Sequence, residues 1–178
     1  MNNPTAIFLI GMPAVGKSSL IQQNGWDTDP NTYIHSTDNI VTEIANRDGI
    51  TYDEFFASGR FGREVIPVLH ARLADAIRSG KNIIVDMVNE TKAKRALTQL
   101  PDHYQKEAWI IGHKPWYRKD KRFLKKIKHA VAQRHKATGK SVPQFVLDNM
   151  FKSYEVPSMD EEGFTAMRII EPLNPLVT

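Results

Sequence analysis

The segment Gly11–Ser18 carries the strongest chemical signal in the sequence. It reads Gly-Met-Pro-Ala-Val-Gly-Lys-Ser and matches the pattern G-x-x-x-x-G-K-[ST]. The apolar run Thr5–Ile10 precedes it, and a helix is predicted to follow through about Gln23, which is the strand–loop–helix setting that the pattern requires. Its glycines let the backbone curl so that successive N–H groups point at an anion. The segment therefore predicts a loop that binds phosphate groups.

The last residues of this loop indicate which phosphates are bound. Lys17 is expected to reach the β- and γ-phosphates of a nucleotide, and the Ser18 hydroxyl is expected to ligate Mg²⁺. The sequence thus predicts ATP and Mg²⁺ as the cofactors. The residues expected to bind the nucleotide are Gly11, Met12, Pro13, Ala14, Val15, Gly16, Lys17, Ser18 and Ser19.

Asp86 is a second candidate, because it ends the β-prone run Ile83–Asp86. An acid at the carboxyl edge of a sheet can hold Mg²⁺ or its water shell beside a nucleotide. The alternative is a capping role for the helix that begins near Thr91. ATPases of this class usually place a Glu after this acid to orient water, whereas Met87 follows here. This difference favours transfer to a bound hydroxyl over hydrolysis.

Asp38 follows the second predicted strand, in the segment Ser36–Asn39. A carboxylate near the phosphate-binding loop could accept the proton of an attacking hydroxyl and aim that hydroxyl at the γ-phosphate. Asp is also a favoured N-cap, and a helix is predicted to start at Asn39. The sequence leaves both roles open, and one Asp can fill both.

The basic residues concentrate in one part of the chain. The net charge is +4, yet Lys114–Lys140 alone contains eleven basic residues and one acid. Such an excess indicates an anionic partner, either a nucleic acid or phosphate groups. The alternative is the solvated face of an amphipathic helix. The apolar residues with helical spacing in this stretch are Phe123, Ile127, Ala130 and Val131.

Two parts of this basic stretch are candidates for contacts with ligands. The first, Arg134–Lys140, is predicted to be a break between two helices that folds over the nucleotide as a lid at about residues 134–142. Arg134 is the best candidate for the transferring phosphate, because a guanidinium pairs with phosphate oxygens bidentately. The alternative is a solvated connection. The second is the pair Trp116 and Tyr117, which could stack on bases of a single strand or pack in the core.

Strand-like and helix-like segments alternate along the chain and must position these residues. This alternation predicts an α/β fold with a five-stranded parallel sheet, helices on both faces and a basic helical lid. The predicted strands are Thr5–Ile10, Thr32–His35, Asn82–Asp86, Glu107–Ile111 and Ala166–Ile170. After the first helix, the predicted helices are Asn39–Asn46, Phe61–Ser79 with Pro67 bending or interrupting it, Thr91–Leu100, Pro115–His135 and Phe145–Tyr154.

Length and composition narrow the possibilities further. A chain of 178 residues without a linker segment predicts a single domain over residues 1–178. The absence of cysteine excludes disulfide frameworks, zinc fingers and thiol catalysis. The histidines show no metal-ligand spacing. No apolar run approaches the ~20 residues that span a bilayer, and Met1–Pro4 carries no basic leader, so we expect a cytoplasmic protein.

Four segments together resemble the kinase domain of the bacteriophage polynucleotide kinase family. They are Gly11–Ser18, Ser36–Asp38, Ile83–Arg95 and Val142–Phe164. The resemblance implies a five-stranded parallel core and ATP-dependent phosphorylation of a 5′-hydroxyl end of a polynucleotide. It also implies that Asp38 is the general base and that a lid arginine lies near Arg134.

The sequence departs from that family on the acceptor side. The family commonly has an arginine three residues after the base, where it binds the 3′-phosphate of the acceptor, and this chain has Val41 there. Arg47, Arg60 or Arg63 could replace it. The sequence therefore predicts a kinase whose acceptor is a nucleic acid hydroxyl, and it keeps two alternatives. One is a kinase for a hydroxymethylated base in DNA, a nucleoside or a small metabolite, and the other is a nucleotide-gated module that binds nucleic acid without catalysis.

Overall fold

Five parallel strands form the centre of the computed structural model, which describes residues 3–112 and 120–177. The strands are β1 (Thr5–Ile10), β2 (Thr32–His35), β3 (Asn82–Val85), β4 (Gln105–Ile111) and β5 (Ala166–Ile170). Their order in the sheet is β2-β3-β1-β4-β5, and each neighbouring pair is parallel. The predicted α/β class and its five-stranded parallel sheet are confirmed.

Eight helices lie among the described residues. They are α1 (Lys17–Gln23), α2 (Thr37–Asp48), α3 (Tyr52–Ala57), α4 (Phe61–Arg78), α5 (Lys92–Arg95), α6 (Lys121–Thr138), α7 (Gln144–Ser153) and α8 (Met159–Glu162). None of the helices in these two ranges has the length and apolar character needed to cross a membrane.

Helices cover both faces of the sheet. The side chains of β1 alternate between the two apolar clusters on these faces. Leu9 of β1 shares one cluster with Ile127 of α6 and Leu147 of α7. Phe8 belongs to the other cluster, with Leu73 of α4. A third cluster joins α2, α3 and α4 at one end of the fold. Burial on both faces explains why β1 and β3 read as continuous apolar runs.

Several element boundaries differ from the sequence prediction. Helix α2 begins at Thr37, two residues before the predicted start, and α5 ends at Arg95, five residues before the predicted end. Helix α4 runs through Pro67 without interruption. A proline removes one hydrogen bond from a helix interior, but the apolar face of α4 packs against the core on both sides of it.

Two short helices, α3 and α8, are absent from the sequence prediction. Each is fixed at its start by a side-chain cap. Thr51 accepts a hydrogen bond from the N–H of Glu54, whose carboxylate bonds back to the Thr51 N–H in a capping box. The Ser158 side chain accepts a hydrogen bond from the N–H of Glu161, and the Ser158 N–H donates to Glu162 Oε1. A search for T-x-x-E and S-x-x-E patterns would have found both.

His35, the last residue of β2, links the stability of the fold to pH. Its side chain is buried, and its Nδ1 has no hydrogen-bond partner within the described part of the chain. Burial, together with the charge of the nearby His70, lowers the pKa of His35 from 6.5 to about 4. The folded state therefore keeps His35 neutral between pH 6.5 and 4, where the unfolded chain binds a proton. The free energy of unfolding must fall as the pH falls through this window.

We predict that His35→Gln removes this part of the pH dependence. Between pH 7 and pH 5, the free energy of unfolding of the wild-type protein should fall by about 2 kcal/mol more than that of the variant, as measured by urea unfolding. His103→Gln, at an exposed position, is the matched control and should keep the wild-type dependence. The same pH dependence in wild type and His35→Gln would contradict the prediction.

Candidate active site

The loop between β1 and α1 has a backbone that its glycines make possible. Gly16 has φ 108°, a conformation that other residues rarely adopt, and a Cβ there would lie 2.7 Å from the Cβ of Leu173. At Gly11, a Cβ would lie 2.8 Å from the carbonyl oxygen of Ile111. Ala14 also has a positive φ, of 64°. Both glycines of the motif are therefore required by the space around them.

The side chain of Lys17 turns back onto this loop. Its Nζ donates a hydrogen bond to the Gly11 carbonyl oxygen at 2.9 Å. Burial lowers the pKa of Lys17, whereas the carboxylates of Asp86 and Asp38 act to raise it. The charge of Arg134 acts to lower the pKa of Lys17. These interactions show that the fold brings the four charged residues singled out in the sequence within electrostatic reach of one another.

A cavity of about 850 Å³ opens at this loop. Nine of the predicted site residues line it, namely Pro13, Ala14, Gly16, Lys17, Ser18, Ser19, Asp38, Asp86 and Arg134. Gly11 does not line the cavity, and Met12 and Val15 have buried side chains in the cluster beneath the loop. Only the backbone of these two residues is therefore suited to contact a nucleotide.

The order of the strands arranges the rest of the cavity around the loop. Asp38 follows β2 and Asp86 follows β3, so both lie on one side of β1. The segment after β5 lies on the other side. There Asn174 Nδ2 donates to the Ala14 carbonyl at 2.8 Å, and the Leu173 N–H donates to the Val15 carbonyl at 3.0 Å. The sequence analysis missed this segment, because only the sheet order brings it to the loop.

Asp38 lies in the first turn of α2 and is exposed to the cavity. Its Oδ1 accepts a hydrogen bond from the hydroxyl of Tyr52 at 2.8 Å. Ser36, not Asp38, occupies the N-cap position, so the capping interpretation of Asp38 is wrong. Burial raises the pKa of Tyr52, and the charge of Asp38 raises it further. Tyr52 therefore stays a hydrogen-bond donor to this carboxylate.

Asp86 comes directly after β3, and its N–H donates to the His35 carbonyl at 3.0 Å. Desolvation raises its pKa, while the charge of Lys17 acts to lower it. The capping interpretation of Asp86 is wrong, because Thr91 caps α5. No group of three or more metal-ligating side chains occurs among residues 3–112 and 120–177.

Arg134 lies inside α6 and not in a break between helices, which corrects the sequence prediction. Helix α6 continues to Thr138 because its face with Val131 stays packed on the core, and Gly139 ends it with φ 72°. The predicted lid at 134–142 is thus part helix and part connection. The Nε of Arg134 is buried without a hydrogen-bond partner in the described ranges, although the residue lines the cavity.

The connection after α6 contacts α3. Lys140 Nζ lies 5.1 Å from the centre of the Tyr52 ring, and the Ser141 N–H donates to Asp53 Oδ1 at 3.3 Å. Because Tyr52 also binds Asp38, these contacts link the connection to the candidate base.

The rest of α6 is amphipathic. Its buried residues Phe123, Ile127, Ala130 and Val131 pack on the core, as their spacing predicts. Basic side chains such as Lys125 are exposed. Trp116 and Tyr117, together with the other residues of 113–119, lie outside the described residues.

Two buried side chains brace the segment that follows Asp86. Asn89 Nδ2 donates to the carbonyls of Leu9 and Val85 at 3.0 and 2.9 Å. Arg95 Nη1 donates to the Asn89 carbonyl at 3.0 Å. Arg95 also forms a two-pronged ion pair with Glu162, at 2.6 and 2.7 Å. Burial opposes ionisation of Glu162, but its hydrogen bonds from Arg95 and the Ser158 N–H lower its pKa overall.

We predict that Glu162→Gln lowers the free energy of unfolding by about 3 kcal/mol, because it leaves the buried Arg95 guanidinium without a charged partner. Glu161→Gln is the matched control, since Glu161 forms an exposed ion pair with Lys92, and it should leave stability nearly unchanged. Chemical denaturation measures both. Equal losses in the two variants would show that the Arg95 pair does not brace the site.

Comparison with known proteins agrees with this architecture. Residues 7–101 match the sequence model of a family described as an AAA domain. The chain belongs to this family. Its fold is of the P-loop kinase-like type, which implies nucleotide binding. No curated protein matches the chain.

Solved structures show the same fold at low sequence identity. A candidate kinase from Chloroflexus aurantiacus is 17% identical, with a TM-score of 0.60 over 96% of this chain and 86% of that one. A structure from the PezAT chromosomal toxin–antitoxin system of Streptococcus pneumoniae is 16% identical, with a TM-score of 0.56 over 98% and 71%. A chain of the Pnkp1/Rnl/Hen1 RNA repair complex is 15% identical, with a TM-score of 0.59 over 86% and 44%. Sequence identities this low show that these proteins share a fold with the chain, and they show nothing about its function.

Proposed function

We propose that this protein is an ATP-dependent kinase that transfers the γ-phosphate to an alcohol hydroxyl. The observation that carries the proposal is that Asp38 and Lys17 line one cavity at the phosphate-binding loop. Asp38 binds Tyr52 through Oδ1, which leaves Oδ2 for an acceptor hydroxyl. A carboxylate so placed serves phosphoryl transfer to an alcohol.

Each charged side chain has a distinct task in this reaction. Lys17 would exchange the Gly11 carbonyl for the β- and γ-phosphates of ATP, and Ser18 and Asp86 would hold Mg²⁺ or its water shell. When bound, the metal neutralises charge on the β- and γ-phosphate oxygens. Asp38 takes the proton of the acceptor hydroxyl. The acceptor oxygen bonds to the γ-phosphorus as the bond to the bridging oxygen breaks, and ADP leaves.

Arg134 and the connection after α6 complete the site. The buried Nε of Arg134 is without a partner among the described residues, and a phosphate oxygen is a suitable acceptor for it. The connection residues Ser141, Val142 and Pro143 line the cavity, where they help to keep water from the γ-phosphate. Met87, at the position where related ATPases carry a water-orienting Glu, also fits an alcohol as acceptor.

The acceptor that we propose first is the 5′-hydroxyl end of a polynucleotide. The resemblance to the bacteriophage polynucleotide kinase family supports it, as does the excess of basic residues in Lys114–Lys140. One structure with a similar fold comes from an RNA repair complex. A second candidate is a kinase for another hydroxyl, such as that of a nucleoside, because Val41 is fully buried in the core and cannot reach an acceptor phosphate. A cytoplasmic setting, where ATP is abundant, fits either acceptor.

The proposal predicts label transfer from γ-labelled ATP to a 5′-hydroxyl oligonucleotide or to a nucleoside. Asp38→Asn should slow this transfer by about 100- to 10,000-fold, because the general base is lost. Binding of ATP should change little, since the proposed reaction assigns Asp38 to the acceptor hydroxyl and not to the triphosphate. Asp102→Asn, at an exposed position outside the cavity, is the matched control and should retain full activity.

Two outcomes would contradict the proposal. Wild-type protein that hydrolyses ATP but labels no acceptor would be an ATPase. An Asp38→Asn variant as active as the Asp102→Asn control would exclude Asp38 as the base. If Asp38→Asn loses phosphate transfer but keeps the wild-type affinity for an oligonucleotide, the wild-type protein is a kinase. A nucleotide-gated binding module would show no transfer in either form.

A further inference from the structure

The acceptor side of the cavity has an apolar and largely aromatic wall. Tyr52, Phe56 and Phe61 line it from α3 and the start of α4. Met87 and Val88 line it from the segment after Asp86. Phe56 is 44% exposed and Val88 is 46% exposed. The two exposed side chains face a cavity and are not scattered over the surface.

The three aromatic rings form a continuous surface that begins at the candidate base. Phe56 and Phe61 are stacked, with ring centres 5.5 Å apart and an interplanar angle of 24°. The Tyr52 ring lies 5.0 Å from that of Phe56. The Tyr52 hydroxyl in turn binds Asp38. A ligand whose hydroxyl reaches Asp38 therefore has its adjoining atoms against these rings.

The arginines that could replace the missing phosphate-binding residue are engaged elsewhere. Arg60 pairs with Asp48 at 2.8 Å and lies near Glu64 at 3.5 Å. Arg47 pairs with the same two acids, and Arg63 lies 3.7 Å from Glu64. None of the three lines the cavity. They form a cluster of ion pairs around α2 and α4 and do not make a site for an acceptor phosphate.

The charges of the cavity wall also disfavour a binding site for a phosphate group next to the reacting hydroxyl. Among the described residues that line it, the cationic side chains are Lys17 and Arg134, and the proposed reaction assigns both to the triphosphate. On the acceptor side the charged residues are Asp38 and Asp53. Nearby Lys140 is engaged with the Tyr52 ring. A phosphate group on the acceptor would meet carboxylates there, whereas an uncharged ring would meet apolar surface.

We propose that the surface formed by Tyr52, Phe56 and Phe61 is a binding site for an uncharged flat ring attached to the reacting alcohol, as in a nucleoside. This inference rests on the proposed kinase function and specifies its acceptor. Stacking on aromatic side chains tolerates any base, because every base has a π face. The enzyme recognises the ring beside the hydroxyl and not a phosphate beyond it. On an oligonucleotide, the same surface takes the 5′-terminal base.

Three acceptors and two principal variants test this site, with Phe56→Trp as a rescue variant. The acceptors are thymidine, thymidine 3′-monophosphate and methyl 2-deoxyriboside, which lacks the base. The variants are Phe56→Ala and the matched control Phe145→Ala, whose phenylalanine is 66% exposed on α7 and does not line the cavity. Initial rates of label transfer give KM and kcat, and thermal melting checks that both variants fold.

Three results are expected. Phe56→Ala should raise the KM for thymidine about tenfold or more, with the KM for ATP unchanged, and Phe56→Trp should restore it. The baseless sugar should be a poor acceptor for wild type. The 3′-phosphate should change KM by less than about threefold, because within residues 3–112 and 120–177 the cationic residues that line the cavity are Lys17 and Arg134, and the triphosphate takes both. The proposal is overturned if the 3′-phosphate lowers KM tenfold or more, or if Phe56→Ala behaves like Phe145→Ala.

A binding measurement separates this inference from the kinase proposal. If no acceptor is labelled, the proposed function fails, and thymidine binding is then measured by saturation-transfer NMR in the presence of a non-hydrolysable ATP analogue. Binding that Phe56→Ala abolishes and Phe145→Ala preserves would still support the ring site. No binding, or binding that is equal in both variants, would overturn it.

Discussion

The site depends on one constraint, which is that parallel strands end at the same edge of a sheet. β1 lies between β3 and β4, and β2 is the outer neighbour of β3. The residues that follow β2, β3 and β1 therefore meet at one edge. This brings a carboxylate from each of two strands next to the lysine of the phosphate-binding loop. Ligands of open α/β sheets bind at this edge for the same reason.

The charges assembled there stabilise one another against burial. Burial lowers the pKa of Lys17 and raises that of Asp86, so it disfavours the charged form of each. The charge of Asp86 acts to raise the pKa of Lys17, and the charge of Lys17 acts to lower the pKa of Asp86. Each charge therefore offsets part of the cost of burying the other. This arrangement suits the triphosphate that we propose as its ligand.

Helix α3 ties the remaining parts of the site together. Its first residue, Tyr52, binds Asp38 and lies under Lys140, and Asp53 accepts a hydrogen bond from the Ser141 N–H. Phe56, one turn further on, is on the cavity wall. The candidate base, the connection after α6 and the proposed ring site thus share one short helix. A movement of that connection would change its contacts with Tyr52 and Asp53, and Tyr52 binds Asp38 directly.

Local patterns in the sequence predicted the strands and the phosphate-binding loop. The position of Arg134 and the contact of Asn174 with the loop depend on long-range packing, which local patterns do not contain. The strand runs and Gly11–Ser18 are contiguous signals, so they could be read directly. Helix α3 was missed although the capping box at Thr51 marks its start. The position of Arg134 inside α6 depends on how Val131 packs on the core. The contact of Asn174 with the loop depends on the sheet order, which no local pattern contains.

The most direct test of this account is a crystal structure with Mg²⁺ and a non-hydrolysable ATP analogue. We predict that Lys17 Nζ leaves the Gly11 carbonyl for the β- and γ-phosphates, and that the metal lies near Ser18. Asp38 should face the γ-phosphorus across a gap that admits one hydroxyl group. A triphosphate bound outside the loop, or an Asp38 carboxylate directed away from the γ-phosphate, would contradict it.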